Sequence, residues 1–357
     1  MKTNMSKRLL LMLVSMILVV SMFTGCGGSD KNAVTTTPDV KTTEDSNGGE
    51  KPLQKEDKDY KVAILTIRKL TTPADLNTLE GIEKLEKDLG VKCKIIECVE
   101  IAEYKEQLQA VSEEGYDVVY FIYDNFLEAA KEIAPLYPET QYIGLWIDLK
   151  DNQIPNLKPL FFRPEQGAFM CGVVAGLMTE TNKVAFLGGG INPGIVTFLA
   201  GYEAGIKNVN PNCELIVSWA NTFEDPLKGK ELATSLYSRD VDIIFQVANQ
   251  TGLGVIDAAK EMGKYVIGVD VDQSPLAPEN VISSCLLDHG YATFDSISKS
   301  FKGEFTNKQV YYGLQEGSPV IAVNDKLVSK EIQDKVKEIE KKIISGEIET
   351  PKTTETK

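Results

Sequence analysis

Residues 241–273 read VDIIFQVANQTGLGVIDAAKEMGKYVIGVDVDQ, one complete strand, helix, strand unit. Asp242 to Val247 is a short run of apolar β-formers. Thr251 to Met262 carries Leu253, Ile256, Ala259 and Met262 at the spacing of one helical face, and Gly263 supplies the left-handed residue that ends such a helix. Tyr265 to Val269 returns as a second buried strand. A helix that joins two strands of one sheet makes their pairing parallel and the crossover right-handed, so both strands end at the same edge. Gln246, Asn249 and Asp270 fall at that edge, outside the carboxyl ends of the strands, where open α/β sheets bind ligands. They are candidate ligand-binding residues; for Asp270 the alternative is a helix cap or turn.

The same alternation runs outward in both directions. Upstream, strands are expected at 60–66, 91–98, 117–123 and 141–147, with helices at 73–88, 102–114 and 125–137 between them. The first helix carries the stripe Leu76, Leu79, Ile82, Leu85 and Leu89. After a turn-rich stretch, a strand at 158–163 leads into the small-residue helix 165–178. A second alternation then starts, with strands at 182–187 and 213–219 and helices at 193–208 and 226–237, and delivers the chain to the opening unit. Beyond it come a strand at 281–286, a helix at 291–301, strands near 309–314 and 320–323, and a final helix opened by Ser329 as N-cap. The fold class is therefore α/β, with two doubly wound lobes joined by a multi-stranded hinge. Lobe 1 spans 60–163 with a return at about 275–314; lobe 2 spans 164–274 with a segment at about 315–346; residues 347–357 form a polar tail.

Composition narrows the function. The chain has 357 residues, which suits two domains, and its 52 acidic against 38 basic side chains give a net charge of −14. That surface repels phosphate backbones, so nucleic acid is excluded as a partner. His289 is the only histidine, which leaves little for a zinc site or an activated nucleophile. Neither a nucleophile elbow nor a cofactor fingerprint occurs, so no catalytic residue, metal or cofactor is assigned. The run Gly188-Gly189-Gly190 lacks both the dinucleotide spacing and the phosphate-loop lysine; its glycines allow a tight turn at a strand end.

At the start, Lys2, Lys7 and Arg8 precede the apolar run Leu9 to Val20 and then Phe23-Thr24-Gly25-Cys26. This is an export signal over 1–25, ending in a stretch similar to a lipobox with Cys26 as the lipidated residue. Residues 26–59 are rich in Thr, Asp, Lys and Gly without an aromatic residue, and read as a disordered tether that holds the protein to the outer face of the cell membrane. The other five cysteines, an odd number, read as buried free thiols.

Further site candidates follow from strand ends. Phe223 lies in the loop NTFEDPLKGK at the edge shared with Asp270, where it either stacks on a planar ligand or staples the next helix. Tyr123, Asp124 and Trp146 end strands of the first lobe.

With these residues laid out, the chain from Lys61 to about Gly346 resembles the basic membrane protein family of solute-binding lipoproteins, which are similar to type 1 periplasmic binding proteins. EQGAFMCGVVAGLMT (165–179), FEDPLKGKELA (223–233) and QTGLGVIDAAKEMGKYVIGVDVDQS (250–274) carry the resemblance. It implies a ligand trap that delivers a small solute, a purine nucleoside in the characterised branch, to the permease of an ABC importer. It also implies that Asp270 holds ribose hydroxyls and that Phe223 stacks on the base. RKLTTPADLN after the first strand departs from the family pattern: Ala74 stands where a second stacking phenylalanine is expected and Asp75 where an asparagine is, and Leu287 replaces a ribose-contacting lysine. Asp75 then becomes a candidate acceptor beside the base, favouring adenosine or guanosine over inosine. The alternatives are another small solute in the same fold, or a sensor for a membrane receptor.

Overall fold

The computed structural model describes residues 60–149 and 151–353. The export signal, Cys26 and the tether lie outside the described residues.

In lobe 1, β1 (Lys61–Thr66), β2 (Lys92–Glu97), β3 (Val118–Ile122), β4 (Gln141–Leu145), β5 (Leu157–Phe162) and the distant β11 (Val310–Tyr312) form a parallel sheet in the order β11-β5-β4-β3-β1-β2. Helices α1 (Pro73–Leu89), α2 (Ile101–Glu113), α3 (Leu127–Ile133) and α8 (His289–Phe301) cover it. Lobe 2 repeats the plan with β6 (Lys183–Gly188), β7 (Glu214–Trp219), β8 (Ile243–Val247), β9 (Tyr265–Asp270), β10 (Val281–Leu286) and β12 (Ile321–Val323), in the order β12-β10-β9-β8-β6-β7. Only β12 runs antiparallel in it. The central strands β3 and β8 are buried at every residue, as parallel strands covered on both faces must be.

Both sheets reverse their strand order once, between β1 and β3 in lobe 1 and between β6 and β8 in lobe 2. The reversal sends neighbouring connections to opposite faces and opens a crevice at the strand ends, the usual ligand position in such sheets. The chain passes between lobes three times: from β5 into α4 (Pro164–Met178), from β10 into α8, and from β11 to β12. Three short connections side by side suit a hinge. β10 was expected to return to lobe 1. It pairs with β9 in lobe 2, because a strand as apolar as VISSCL finds both covered faces there, and the return begins only after Leu286.

Small residues set the closest packing. α4 is buried all round from Pro164 to Gly176, and α5 (Pro193–Val209) lies against it backbone to backbone. A Cβ on Gly205 would sit 2.0 Å from Phe169 O, and one on Gly172 2.3 Å from Tyr202 O. The stripe of α1 is buried at Ile82 and Leu85, whereas Leu76 is 51% exposed. Cys93, Cys98, Cys171, Cys213 and Cys285 are all free thiols; Cys98, Cys171 and Cys285 are buried, and Cys93 and Cys213 only partly so.

Candidate functional site

Four residues with left-handed backbone, Tyr123 (φ 85°), Trp146 (φ 68°), Asn249 (φ 49°) and Asp270 (φ 69°), sit at the carboxyl ends of β3, β4, β8 and β9. Such a conformation costs a non-glycine residue about 1–3 kcal/mol and gathers at binding sites, where the surrounding fold enforces it. All four line one cavity of about 280 Å³ between the lobes. Lobe 1 adds Arg68, Thr72, Pro73, Ala74 and His289 to the lining, and lobe 2 adds Gln250, Leu253, Val269 and Gln273.

On the lobe 2 wall, the Asp270 carboxylate has no hydrogen-bond or ion-pair partner among the described residues, while its backbone oxygen accepts from Leu287 N at 3.0 Å. Burial pushes its carboxyl up to about 6, since the charged form has lost water without gaining a cation. Gln273 holds the floor: its Oε1 accepts from Gln246 Nε2 (2.8 Å) and Val269 N (3.2 Å), and its own N donates to Ser284 Oγ (3.0 Å). Asn249 opens α7 (Asn249–Met262), and its Nδ2 donates to Glu224 Oε1 at 3.4 Å.

The lobe 1 wall is tied together by charge. Asp75 is buried and closes a capping box with Thr72 at the start of α1. Its Oδ2 accepts from Thr72 N (3.0 Å) and Thr71 N (3.3 Å), and both carboxylate oxygens accept from Arg68 Nη2 at 3.3 Å. The same Nη2 donates to Tyr123 Oη at 2.7 Å. Trp146 Nε1 donates to His289 Nε2 at 3.2 Å, and His289 Nδ1 lies 3.4 Å from Thr78 Oγ1. This fixes a neutral imidazole with its proton on Nδ1, and burial lowers its pKa to about 4. Phe162 stacks on the imidazole at 5.2 Å and also packs against Trp146 at 5.0 Å, so the indole is held from two sides.

The strand-end candidates therefore divide. Asp270, Asn249 and Trp146 line the cavity; Gln246, Asp75, Phe223 and Asp124 are not in its lining. Gln246 is fully buried behind Gln273. Asp75 is spent on Arg68 and the helix cap, so it offers no free acceptor to a base. Phe223 rests on bare backbone, for a Cβ on Gly189 would meet its ring at 2.3 Å, and its carbonyl oxygen accepts from Thr251 N at 3.2 Å. That contact also explains the glycine run. Asp124 is exposed on the turn beyond Tyr123. Leu287, where a lysine was expected, is buried in the core. Sequence reading missed Arg68, Leu253, Gln273 and the role of His289; the available signal was the basic pair Arg68-Lys69 that follows β1 just before a helix cap. Among the described residues no cluster of His, Cys, Asp and Glu could hold a metal ion, and no helix is long and apolar enough to cross a membrane.

This arrangement presents polar groups and rings from two lobes to one small cavity. The family profile described as ABC transporter substrate-binding protein PnrA-like matches residues 74–354. The chain belongs to this family. It is a substrate-binding protein, extracytoplasmic and not an enzyme, whose partners are a small-molecule solute and a transporter permease. Basic membrane protein A of Borreliella burgdorferi is 33% identical over 284 residues, 78% of this chain and 84% of the relative. The CD4+ T-cell-stimulating antigen of Listeria innocua is 31% identical over 373 residues, 97% of this chain and 99% of the relative. A solute-binding protein structure of an ABC transporter system from Conexibacter woesei superposes with a TM-score of 0.71 at 22% identity, covering 83% of this chain and 100% of that one, and shares the fold.

Trp146 and Trp219 are the only tryptophans, and Trp219 packs over Gly188 and Phe186, outside the cavity lining. Ligand should therefore change the emission of Trp146. In a titration followed by fluorescence, Trp219→Phe is expected to keep the ligand-dependent change and Trp146→Phe to lose most of it. A full change in Trp146→Phe places the ligand away from this cavity.

Proposed function

We propose that the solute of this substrate-binding protein is a nucleoside, purine favoured, held between the lobes and passed to the permease of an ABC importer by a protein anchored through lipid on Cys26. The observation that carries this reading is the unpartnered Asp270 carboxylate at the meeting of the lobes. A carboxylate accepts from paired hydroxyls, and its loss of water is offset only when a ligand supplies donors. Tyr123 and Trp146 put aromatic side chains in the same lining, and an aromatic contact with a base contributes about 0.5–1.5 kcal/mol beyond burial. The cavity, near 280 Å³, is at the lower end of small-molecule sites, which suits a single compact solute. A ligand touching both walls binds the closed form better than the open one and so draws the hinge shut, giving the permease a shape to recognise.

The test is mass spectrometry of the small molecule released when protein purified from its native host is denatured. A nucleoside mass is expected; a sugar, amino acid or peptide in its place rejects the nucleoside. For the anchor, Cys26→Ser is expected to abolish acyl labelling and to release the protein from membranes, and acylation that persists in the variant rejects Cys26.

A further inference from the structure

We propose that a second cavity between the lobes is a subsite for a cation, and that the solute is a nucleoside whose sugar end carries a short aliphatic chain with an ammonium group. This rests on the nucleoside reading above and names the substrate within it.

The second cavity has a volume of about 430 Å³ and meets the first at Pro73 and Asp270, which line both. Lobe 1 lines it with Leu76, Asn77 and Glu80 of α1 and with Asp288 at the start of α8; lobe 2 adds Val271, Asp272 and Leu286. Four of these nine residues are carboxylates, Glu80, Asp270, Asp272 and Asp288, and none is basic. The hydrogen bonds they accept come from neutral groups: Glu80 accepts from Asn77 Nδ2 (3.3 Å), Asp272 from Ser274 N (2.9 Å) and Asp288 from Tyr291 N (2.8 Å). None of the four is in an ion pair among the described residues. Lys84, one turn beyond Glu80 on α1, is paired with Asp88 and lies 4.4 Å over the Phe294 ring, so its charge is already taken.

Carboxylates on an open surface are satisfied by water and call for nothing more. Here two of the four have lost that water. The Asp270 carboxyl, pushed up to about 6 by burial, has no hydrogen-bond or ion-pair partner among the described residues and is shared by both cavities. Burial also pushes the Asp288 carboxyl above its ordinary range, and the neighbouring Glu80 carboxylate adds to this, against the hydrogen bonds that Asp288 accepts. A cation on the ligand supplies the opposite charge that these groups lack. The rest of the wall is hydrocarbon, from Pro73, Leu76, Val271 and Leu286. Leu76 belongs to the apolar stripe of α1 yet stays exposed, so a chain of methylene groups has a surface to cover here, as the stem of a lysine does. The point of attachment follows from Asp270. With the base beside Tyr123 and Trp146 in the first cavity and the ribose hydroxyls on Asp270, whatever continues into the second cavity leaves from the sugar.

The experiment is calorimetric titration, at neutral pH, of protein stripped of bound ligand with three compounds: adenosine, adenosine with a propylthio group in place of its primary hydroxyl, and the same compound with an aminopropylthio group there. The last two share the stem and differ in the charge, since a primary amine is protonated at this pH. The aminopropylthio compound is expected to bind at least about tenfold tighter than its propylthio counterpart, the difference one hydrogen-bonded charge makes. In the double variant Glu80→Gln, Asp272→Asn that ratio should shrink to within about threefold. Both side chains are exposed and their replacements keep an acceptor oxygen, and circular dichroism checks the fold. Equal affinities for the two stemmed compounds in the unaltered protein, or binding of adenosine alone, overturn the inference and leave the nucleoside reading standing. A ratio that persists undiminished in the folded double variant places the cation elsewhere and overturns it as well. If none of the three binds, the nucleoside reading falls and this inference with it. Should the double variant fail to fold, the ratio in the unaltered protein decides by itself.

Discussion

Asp270→Asn is expected to stabilise the protein above pH 6, with no ligand added, while removing most of its affinity for ligand. The stability half follows from linkage. The Asp270 carboxyl is raised to about 6 from an ordinary value of 3.8. A carboxyl whose folded pKa lies above its unfolded value favours folding while protonated; that contribution is complete below about pH 4 and is lost as pH rises through 6. At about 1.36 kcal/mol per pH unit, the ionised carboxylate costs the fold at most about 3 kcal/mol at neutral pH. Asparagine carries no charge to desolvate and is among the residues most tolerant of the left-handed backbone at φ 69°, so it removes the cost without adding strain. Denaturant titrations of both proteins should coincide near pH 4 and separate between pH 4 and 7, with the asparagine variant the more stable. Curves that stay parallel across this range show that the group is not desolvated.

The binding half runs the other way. Hydrogen bonds to an ionised group contribute about 1.5–3 kcal/mol, so affinity should fall roughly tenfold to a hundredfold in Asp270→Asn. In the unaltered protein affinity should also fall as pH drops below 6, because protonation turns one acceptor into a donor. His289 does not blur the upper part of this window, since its pKa near 4 keeps the imidazole largely neutral above about pH 5. A residue that destabilises the fold and is needed for ligand is the usual mark of a built site.

The fold was legible at its elements because alternation, helix spacing and caps are local. The crossing points were less so: β10 has the same pattern whichever sheet receives it, and only its pairing with β9 decides. The site divided along the same line. Asp270, Asn249 and Trp146 could be placed on the cavity lining because a strand end in a parallel sheet has one address. Asp75 was misread because a carboxylate's availability depends on partners, and Arg68, seven residues earlier, had no spacing that announced the pair. For Phe223 the two readings, stacking on a ligand and packing against the protein, could not be separated for a related reason. The glycines that receive its ring lie over thirty residues upstream, and nothing in either stretch alone states that they meet.

Gly254→Ala should damage both stability and binding, by way of a packing contact outside the cavity lining. A Cβ there would lie 1.8 Å from Pro226 O and 2.8 Å from Lys230 N, and the reciprocal Cβ on Gly229 would lie 1.9 Å from Thr251 O. Helix α6 (Pro226–Tyr237) and α7 thus interlock through two glycines whose neighbours are backbone, which cannot rotate aside. Alanine gains up to about 1 kcal/mol in helix propensity, but overpacking costs about 1–3 kcal/mol or more, and separating the helices loses contacts along both. A net loss of about 1–3 kcal/mol should lower the melting temperature by several degrees. Binding suffers because the first turns of α7 carry Asn249, Gln250 and Leu253, and a shift of roughly an ångström removes them from the closed geometry. Gly263→Ala is the control. It sits at the far end of α7 with φ 60° and no neighbour near a Cβ, so it should cost about 1–2 kcal/mol through backbone strain alone. Thermal unfolding and calorimetry on the two variants are expected to show comparable stability losses, with affinity reduced tenfold or more only in Gly254→Ala. Equal affinities would mean that the cavity wall is held by the β8 and β9 strand ends without help from the α6–α7 interlock.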